Sequence, residues 1–397
     1  MRVAMIFTRS VAEQTGRAKS MRAIQAVLTE SFDVEVFSLR SFLETRRLAD
    51  VARATVAWIS SLLRLRPMAL QCVLFVTSSN CKTVIANIRN GGFDAVYIDM
   101  VRCEYFLHKL RQSLPSIWIV TDLDDLISRR MRLWSEAGLP ISMGFMTRFM
   151  PAYLQRASER LLPSRLVQRY EFFGLVRAER EMTEFSDAVI LVSAVESELL
   201  RLELSDSSAN KIRTITPPAE IRRTASSSWK ASRFIFAGSD SYQPNRIAID
   251  ALLERWLTLR PTFELHIYGR QKRLPIEVPG VRWHGFVEDI SEAYSVGSIA
   301  LAPLPFPGGI KTKVVEAWSF GCPVLGTPEA LEGLCGEEYA LRLALTEWND
   351  YLLDPEAKQV QWRAAAHMGQ SIVSDRLSEE GFRAAWRRSF LNPHHAA

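Results

Sequence analysis

The chain has 397 residues, 48% of them hydrophobic and 23% charged, with a formal net charge of +5. That leaves room for two or three folded domains and speaks against wholesale disorder. The five cysteines are irregularly spaced, with no Cys-x-x-Cys pair and no Cys/His cluster, so neither a disulfide framework nor a zinc site is expected and a reducing cytoplasm is.

Short apolar runs alternate with helical patterns from the first residue. Arg2–Phe7 reads as a strand, too short for the apolar core of a signal peptide. Arg17–Glu30 reads as a helix, with Met21, Ile24, Val27 and Leu28 on one face. Between them, Thr15-Gly16-Arg17 could bring backbone N–H groups to a phosphate or an acceptor, or could be a long loop ended by a glycine. The longest apolar region, Ala54 to Val76, is cut by Arg64, Arg66 and Pro67 and falls short of a membrane span. Val34–Ser38, Cys72–Thr77, Asp94–Asp99, Ser116–Thr121 and Ala188–Ser193 read as further strands, several apolar on both faces as in a parallel sheet covered by helices.

The stretch Ser205–Ser232, with Pro217-Pro218 and a Ser/Thr run, breaks this rhythm. It then restarts with strands at Phe234–Ala237, Phe263–Tyr268, Val281–His284, Ser298–Pro303 and Pro323–Thr327. The expectation is α/β: two Rossmann-like doubly wound lobes, residues 1–217 and 230–377, facing across a cleft. A C-terminal helix at about 378–397 is expected to pack back on the first lobe.

Two features of the first lobe invite a functional reading. Thr121-Asp122-Leu-Asp124-Asp125 follows a strand. Its carboxylates could orient an acceptor hydroxyl, contact a sugar or bind a metal, and a turn with a helix N-cap is the plainer alternative. Asp122, nearest the strand end, is the preferred catalytic candidate. Arg129 to Glu181 holds ten arginines against five acids. Within it Met150, Tyr153, Leu154, Ala157 and Leu161 share a helical face, with Arg156 and Arg160 beside them. This predicts either an anionic membrane surface as partner or a helix packed on its own lobe.

The most informative segment is PLPFPGGIKTKVVEAWSFGCPVLGTPEALEGL, Pro303 to Leu334. A glycine loop allows close backbone approach, and a helix N-terminus with Lys311 and Lys313 suits a diphosphate. Glu316 would repel phosphate but can accept from both hydroxyls of a ribose. Taken alone, Lys-x-Lys-x-x-Glu is also a common solvated helix start.

This segment resembles the donor-binding region of retaining glycosyltransferases of family 4, which have the GT-B fold. The matching residues are Gly308-Gly309, Glu316, Gly321-Cys-Pro-Val324, Thr327 and Leu331-Glu-Gly-Leu334. Upstream, Phe236-Ala-Gly238, Tyr242-Gln-Pro-Asn245, Leu265-His-Ile-Tyr-Gly269 and Val281-Arg-Trp-His-Gly-Phe-Val287 stand in register with it. Many members carry a glutamate where this chain has Gly308, a departure that bears on the sugar more than on the nucleotide.

The resemblance implies transfer of a sugar, with retention, from a nucleotide-sugar to a hydroxyl of a glycan or glycolipid. The implied donor site is Gly16, Gly238, Asn245, Gly269, Gly308, Gly309, Lys311, Lys313, Glu316 and Thr327, with Lys311 and Lys313 also steadying the leaving diphosphate. No metal and no cofactor beyond the donor are expected, and no nucleic acid. The expected location is the cytoplasm or the inner face of the membrane. The competing readings are a GT-B-fold nucleotide-sugar isomerase, a basic nucleic-acid-binding module and a scaffold without activity.

Overall fold

The computed structural model describes residues 1–10, 12, 16–139, 164–226 and 228–391. The chain divides into two compact units, Met1–Ile215 with Arg383–Ala397, and Thr216–Phe382. Met150, Tyr153, Leu154, Arg156, Ala157, Arg160 and Leu161 of the basic stretch lie outside the described residues, as does Thr15.

The first unit is a six-stranded parallel sheet in the order β2-β1-β3-β4-β5-β6. The strands are β1 (Arg2–Phe7), β2 (Asp33–Ser38), β3 (Ala95–Asp99), β4 (Trp118–Asp124), β5 (Ala188–Leu191) and β6 (Ile212–Thr214). β1, β3 and β5 are buried along nearly their whole length, which is why their sequences run apolar instead of alternating. The sheet is flanked by α1 (Gly16–Ser31), α2 (Leu48–Leu63), α3 (Glu104–Ser113), α4 (Ile127–Glu136), α5 (Ser164–Phe185) and α6 (Ala194–Arg201). Met21, Ile24, Val27 and Leu28 form the buried stripe of α1.

One expected strand is absent. Cys72–Thr77 is fully buried but continues from a short helix, Leu70–Val73, into turns. A short apolar run records burial and does not say whether strand or helix carries it.

The second unit is a five-stranded parallel sheet in the order β11-β10-β7-β8-β9. Its strands are β7 (Arg233–Ala237), β8 (Leu265–Tyr268), β9 (Val281–Gly285), β10 (Ser298–Ala302) and β11 (Val324–Gly326). The helices that position the site are α7 (Gln243–Leu259), α8 (Thr312–Ser319) and α9 (Gln359–Arg376). Trp318 of α8 is wholly buried and donates to Tyr339 Oη at 3.1 Å. A Cβ on Gly369 of α9 would come within 2.2 Å of the Trp318 ring, so only a glycine lets the two helices close on each other. That packing fixes α8, and with it the lysines at its start.

A last helix, α10 (Glu379–Phe390), brings the chain back to the first unit. Trp386 lies 5.8 Å from the Tyr97 ring, and Trp118 Nε1 donates to Ser389 O at 2.9 Å. No helix among the described residues is long and apolar enough to cross a membrane.

Candidate active site

In the second unit the chain leaves β7 for β8 and β9 on one side, then returns to place β10 and β11 on the other. The direction of winding therefore reverses between β7 and β10, and loops leaving the carboxyl ends of such a pair diverge and open a crevice. Gly238 follows β7 directly, and the loop from Pro303 follows β10. Expected donor residues from α7 and α8 meet at this point although these helices are far apart in sequence, while Gly16 lies in the first unit at the start of α1. Lys313 Nζ, on α8, donates to Asn245 Oδ1, on α7, at 2.7 Å, and Asn245 Nδ2 donates to Ser239 O at 2.9 Å. Lys313 Nζ also lies 4.2 Å from the centre of the Phe236 ring. A Cβ on Gly238 would stand 2.8 Å from both Asn245 Nδ2 and Lys313 Nζ, so glycine leaves the space the ammonium occupies.

The ammonium is poorly hydrated there. Burial, with Lys311 alongside, lowers the Lys313 pKa to about 7 against the opposing pull of Glu316. A desolvated cation at a crevice between strands gains most from an anion brought to it. Lys311 stands at the N-cap of α8 without a side-chain cap bond and donates from Nζ to Gly308 O. The first N–H groups of the helix thus lack the usual side-chain partner. Gly308 and Gly309 have φ of 111° and 57°, conformations that L residues rarely adopt. Glu316 lies one turn further along α8 and is partly exposed.

Two other named residues, Thr327 and Gly269, make contacts within the scaffold. Thr327 is buried, and its hydroxyl donates to Leu304 O at 2.7 Å and accepts from Ala330 N at 3.3 Å. A Cβ on Gly269, at φ 124°, would lie 2.6 Å from Gly238 O, so this glycine allows the two loops to touch. Asp240, which sequence reasoning passed over, ties those loops by accepting from Lys272 N at 2.7 Å and Arg273 N at 2.9 Å.

The first unit reverses its winding between β1 and β3, and there the crevice is filled. Arg17, the residue after Gly16 at the start of α1, inserts its guanidinium with 6% of the side chain exposed. It bonds Asp99, Asp122 at 2.8 Å, Asp124 at 3.0 Å and Tyr97 Oη at 3.3 Å. Burial works against the Arg17 charge, and Asp122, Asp124 and Asp99 together outweigh it and raise its pKa. Asp122 is 1% exposed. Its Oδ2 accepts from Arg17 and from Tyr97 at 2.8 Å, and its Oδ1 from Asp124 N at 3.0 Å. The carboxylate singled out in the sequence is thus engaged on both oxygens and holds Arg17 in place. Asp124 lies further out, at φ 66° with a quarter of its side chain exposed. Burial, then Asp125 and Asp122, push its pKa up against Arg17. The cation facing this acidic loop is a guanidinium of the chain itself. Arg17 and Asp99 had a readable trace, an arginine opening a helix and an aspartate closing a strand, but nothing local joins them.

A separate cluster, Glu104, His108 and Glu181, has ligand-type atoms within 4.8 Å of one another. Arg177 already bonds Glu104 at 2.9 Å and Glu181 at 2.6 Å, and Arg66 bonds Glu181 at 2.7 Å. Both carboxylates are balanced by protein cations, so the cluster reads as an ion-pair network.

Residues 231–347 match the family described as glycosyl transferases group 1. No curated protein matches the chain in sequence. Among solved structures it is similar to a lipopolysaccharide outer core galactosyltransferase in its apo form, at 12% identity over 98% of this chain and 99% of that one, TM-score 0.59. It is similar to HepE of Anabaena in complex with UDP, at 13% identity over 98% and 99%, TM-score 0.59. It is also similar to the sucrose-phosphate synthase of Thermosynechococcus elongatus, at 12% identity over 98% and 97%, TM-score 0.63. At such identities the likeness is one of fold: two parallel sheets with flanking helices, the α/β architecture of GT-B glycosyltransferases.

Proposed function

We propose that this GT-B-fold protein is a retaining glycosyltransferase of the family 4 type, moving a sugar from a nucleotide-sugar to a hydroxyl of a glycan or glycolipid. The observation that carries the reading is the desolvated ammonium of Lys313 between β7 and β10, 2.7 Å from Asn245 and beside the Gly308-Gly309 loop. In this reading Lys313, Lys311 and the N-terminus of α8 take the diphosphate and stabilise the charge that develops as it leaves. Glu316 accepts from the ribose hydroxyls, while Asn245 and Gly238 position Lys313. On the first unit, Asp124, raised in pKa and partly exposed, is the carboxylate we assign to the acceptor hydroxyl, with Asp122 as a positioning residue. The lysines do the work of a cation bridge, so neither metal nor further cofactor takes part. The setting is the cytoplasm or the inner face of a membrane.

UDP-glucose, held by the Anabaena structure, is the first donor to try. The test is release of nucleoside diphosphate from a panel of nucleotide-sugars, with the anomeric configuration of the product read by NMR. The expected result is turnover that survives EDTA and falls at least a hundredfold in the Lys311→Ala/Lys313→Ala variant. Glu316→Gln should lose nucleotide affinity without unfolding. Unchanged nucleotide affinity in both variants would overturn the site, and an inverted product would overturn retention.

A further inference from the structure

The helix α2 turns the wrong face to water. Its inner side packs in the usual way. Asp50 and Ala54 are 1% exposed, Asp50 accepts from Ser78 N at 2.8 Å, and Trp58 Nε1 donates to Tyr170 Oη at 2.6 Å. The outer side of a surface helix is normally polar. Here it carries Leu48, Val51, Val56, Ile59, Leu62 and Leu63, all exposed, Leu48 at 87% and Leu63 at 80%. The next turn adds Leu65, 91% exposed and held at φ 55° by its N–H to Leu62 O and by Arg66 N to Ser61 O. A leucine projected into water from a left-handed backbone gains nothing from the fold itself.

The charges along this segment are mostly of one sign, although Glu44 is exposed and Glu181, which pairs with Arg66, and Glu184 share a groove with Arg53, Val56 and Arg64. Residues 40–66 contain six arginines against Glu44 and Asp50, an excess of four within a chain whose net charge is +5. Asp50 is buried and bonded, so it does not offset the arginines outside. Arg46 and Arg47 precede the helix, Arg53 lies on it and Arg64 ends it. All four are exposed and make no ion pair among the described residues. An apolar helical row bordered by arginines matches an interface that is hydrocarbon within and anionic at its surface. Leucine and isoleucine enter the acyl boundary while the arginines reach lipid phosphates.

We propose that α2 and the turn through Leu65 dock this protein on an anionic phospholipid leaflet. A second copy of the chain fits less well, because a symmetric pairing through this face would set arginine rims against each other. The docking does not depend on the sugar-transfer reading and is measured without donor or acceptor.

The experiment is flotation of the full chain with vesicles of phosphatidylcholine alone and of phosphatidylcholine with phosphatidylglycerol. The expected result is binding that needs phosphatidylglycerol and weakens with salt. It should fall at least tenfold in Ile59→Glu/Leu63→Glu and severalfold in Arg47→Ser/Arg64→Ser, with melting temperatures unchanged. Three results would overturn the proposal. One is failure to float at low salt. Another is full binding by the Ile59→Glu/Leu63→Glu variant, which would move the contact elsewhere on the chain. The third is a concentration-dependent dimer that this variant dissolves, which would assign the face to a second copy.

Discussion

The two sheets reverse their winding in the same way and treat the resulting crevice in opposite ways. Between β1 and β3 the chain inserts its own cation, and three aspartates and a tyrosine close around Arg17. Between β7 and β10 the cation is Lys313, which meets one amide oxygen and the face of Phe236. In the first crevice the charge of Arg17 is met by the chain's own carboxylates, with Asp99 Oδ2 buried and without a hydrogen-bond partner among the described residues, so that charge serves the fold. The second holds a charge whose electrostatic complement is not supplied by the residues that contact it. The same topology therefore gives a strut in one unit and, on the function proposed above, a receptor in the other, and the difference rests on which side chain follows the strand.

The sharpest way to break this comparison is to remove the strut. Arg17→Met leaves Asp99 and Asp122 buried beside Tyr97 without their cation. Removing one partner of a buried ion pair costs about 3–5 kcal/mol, because the charge left behind stays desolvated. Hydrogen exchange of the β3 and β4 amides reports on the first unit alone and should show a loss of that size. Asp99→Asn in the same background should restore part of it. A loss below about 1 kcal/mol would mean that water already reaches the cluster, and the first crevice would then count as open.

The sequence made one of these crevices visible and hid most of the other. In the second unit the signal is local: glycines, a proline and two lysines sit at strand ends, where a motif can be read along the chain. The meeting of Lys313 with Asn245 spans 68 positions but joins two stretches already marked by such motifs. In the first unit the cluster depends on register. Asp99 pairs with Asp122 across β3 and β4, and Arg17 reaches them over 82 and 105 positions. No local pattern announces that two aspartates ending different strands lie side by side under one arginine, so Asp122 read as the catalytic candidate of its loop with no sign that it is buried. Most strands were legible because their apolar runs end at turn residues, but β6, Ile212–Thr214, lies in the stretch read as the domain boundary and was missed. Cys72–Thr77 misled for the complementary reason: burial of a bent helix end produces the same run.

A smaller effect tests whether the second crevice awaits an anion. The Lys313 pKa is lowered by burial to about 7, below its ordinary value, so the folded state favours the neutral amine. Its contribution to stability is therefore full above the ordinary lysine range and is lost as pH falls through about 7. A bound diphosphate reverses the preference, since it favours the ammonium. Binding of UDP at pH 8 should then take up close to one proton. That uptake is read as a dependence of the calorimetric heat on the ionisation heat of the buffer. Affinity should fall by up to about tenfold per pH unit above 7. Lys313→Met should bind more weakly and take up no proton through this group. Uptake that persists in Lys313→Met would place the titrating group elsewhere and remove the contrast with Arg17.

The smallest effect separates the parts of the second crevice that are presented from those that are spent on the fold. Thr327 occupies a position that the family resemblance associates with the donor. Its hydroxyl donates to Leu304 O at 2.7 Å and accepts from Ala330 N at 3.3 Å, and the residue is 5% exposed. Both bonds are internal: they hold the loop after β10 against the short helix that follows β11. Thr327→Val keeps the shape and removes the hydroxyl, leaving a carbonyl and an N–H without that partner, at a cost of about 1–2 kcal/mol. Thr327→Ser keeps both bonds and should stay within about 0.5 kcal/mol of the parent. Nucleotide affinity should change less than twofold in either variant, because the hydroxyl faces the protein. A tenfold loss of UDP affinity in Thr327→Val with unfolding unchanged would show that the hydroxyl turns to the ligand. Thr327 would then join Lys313 on the side of the crevice that binds.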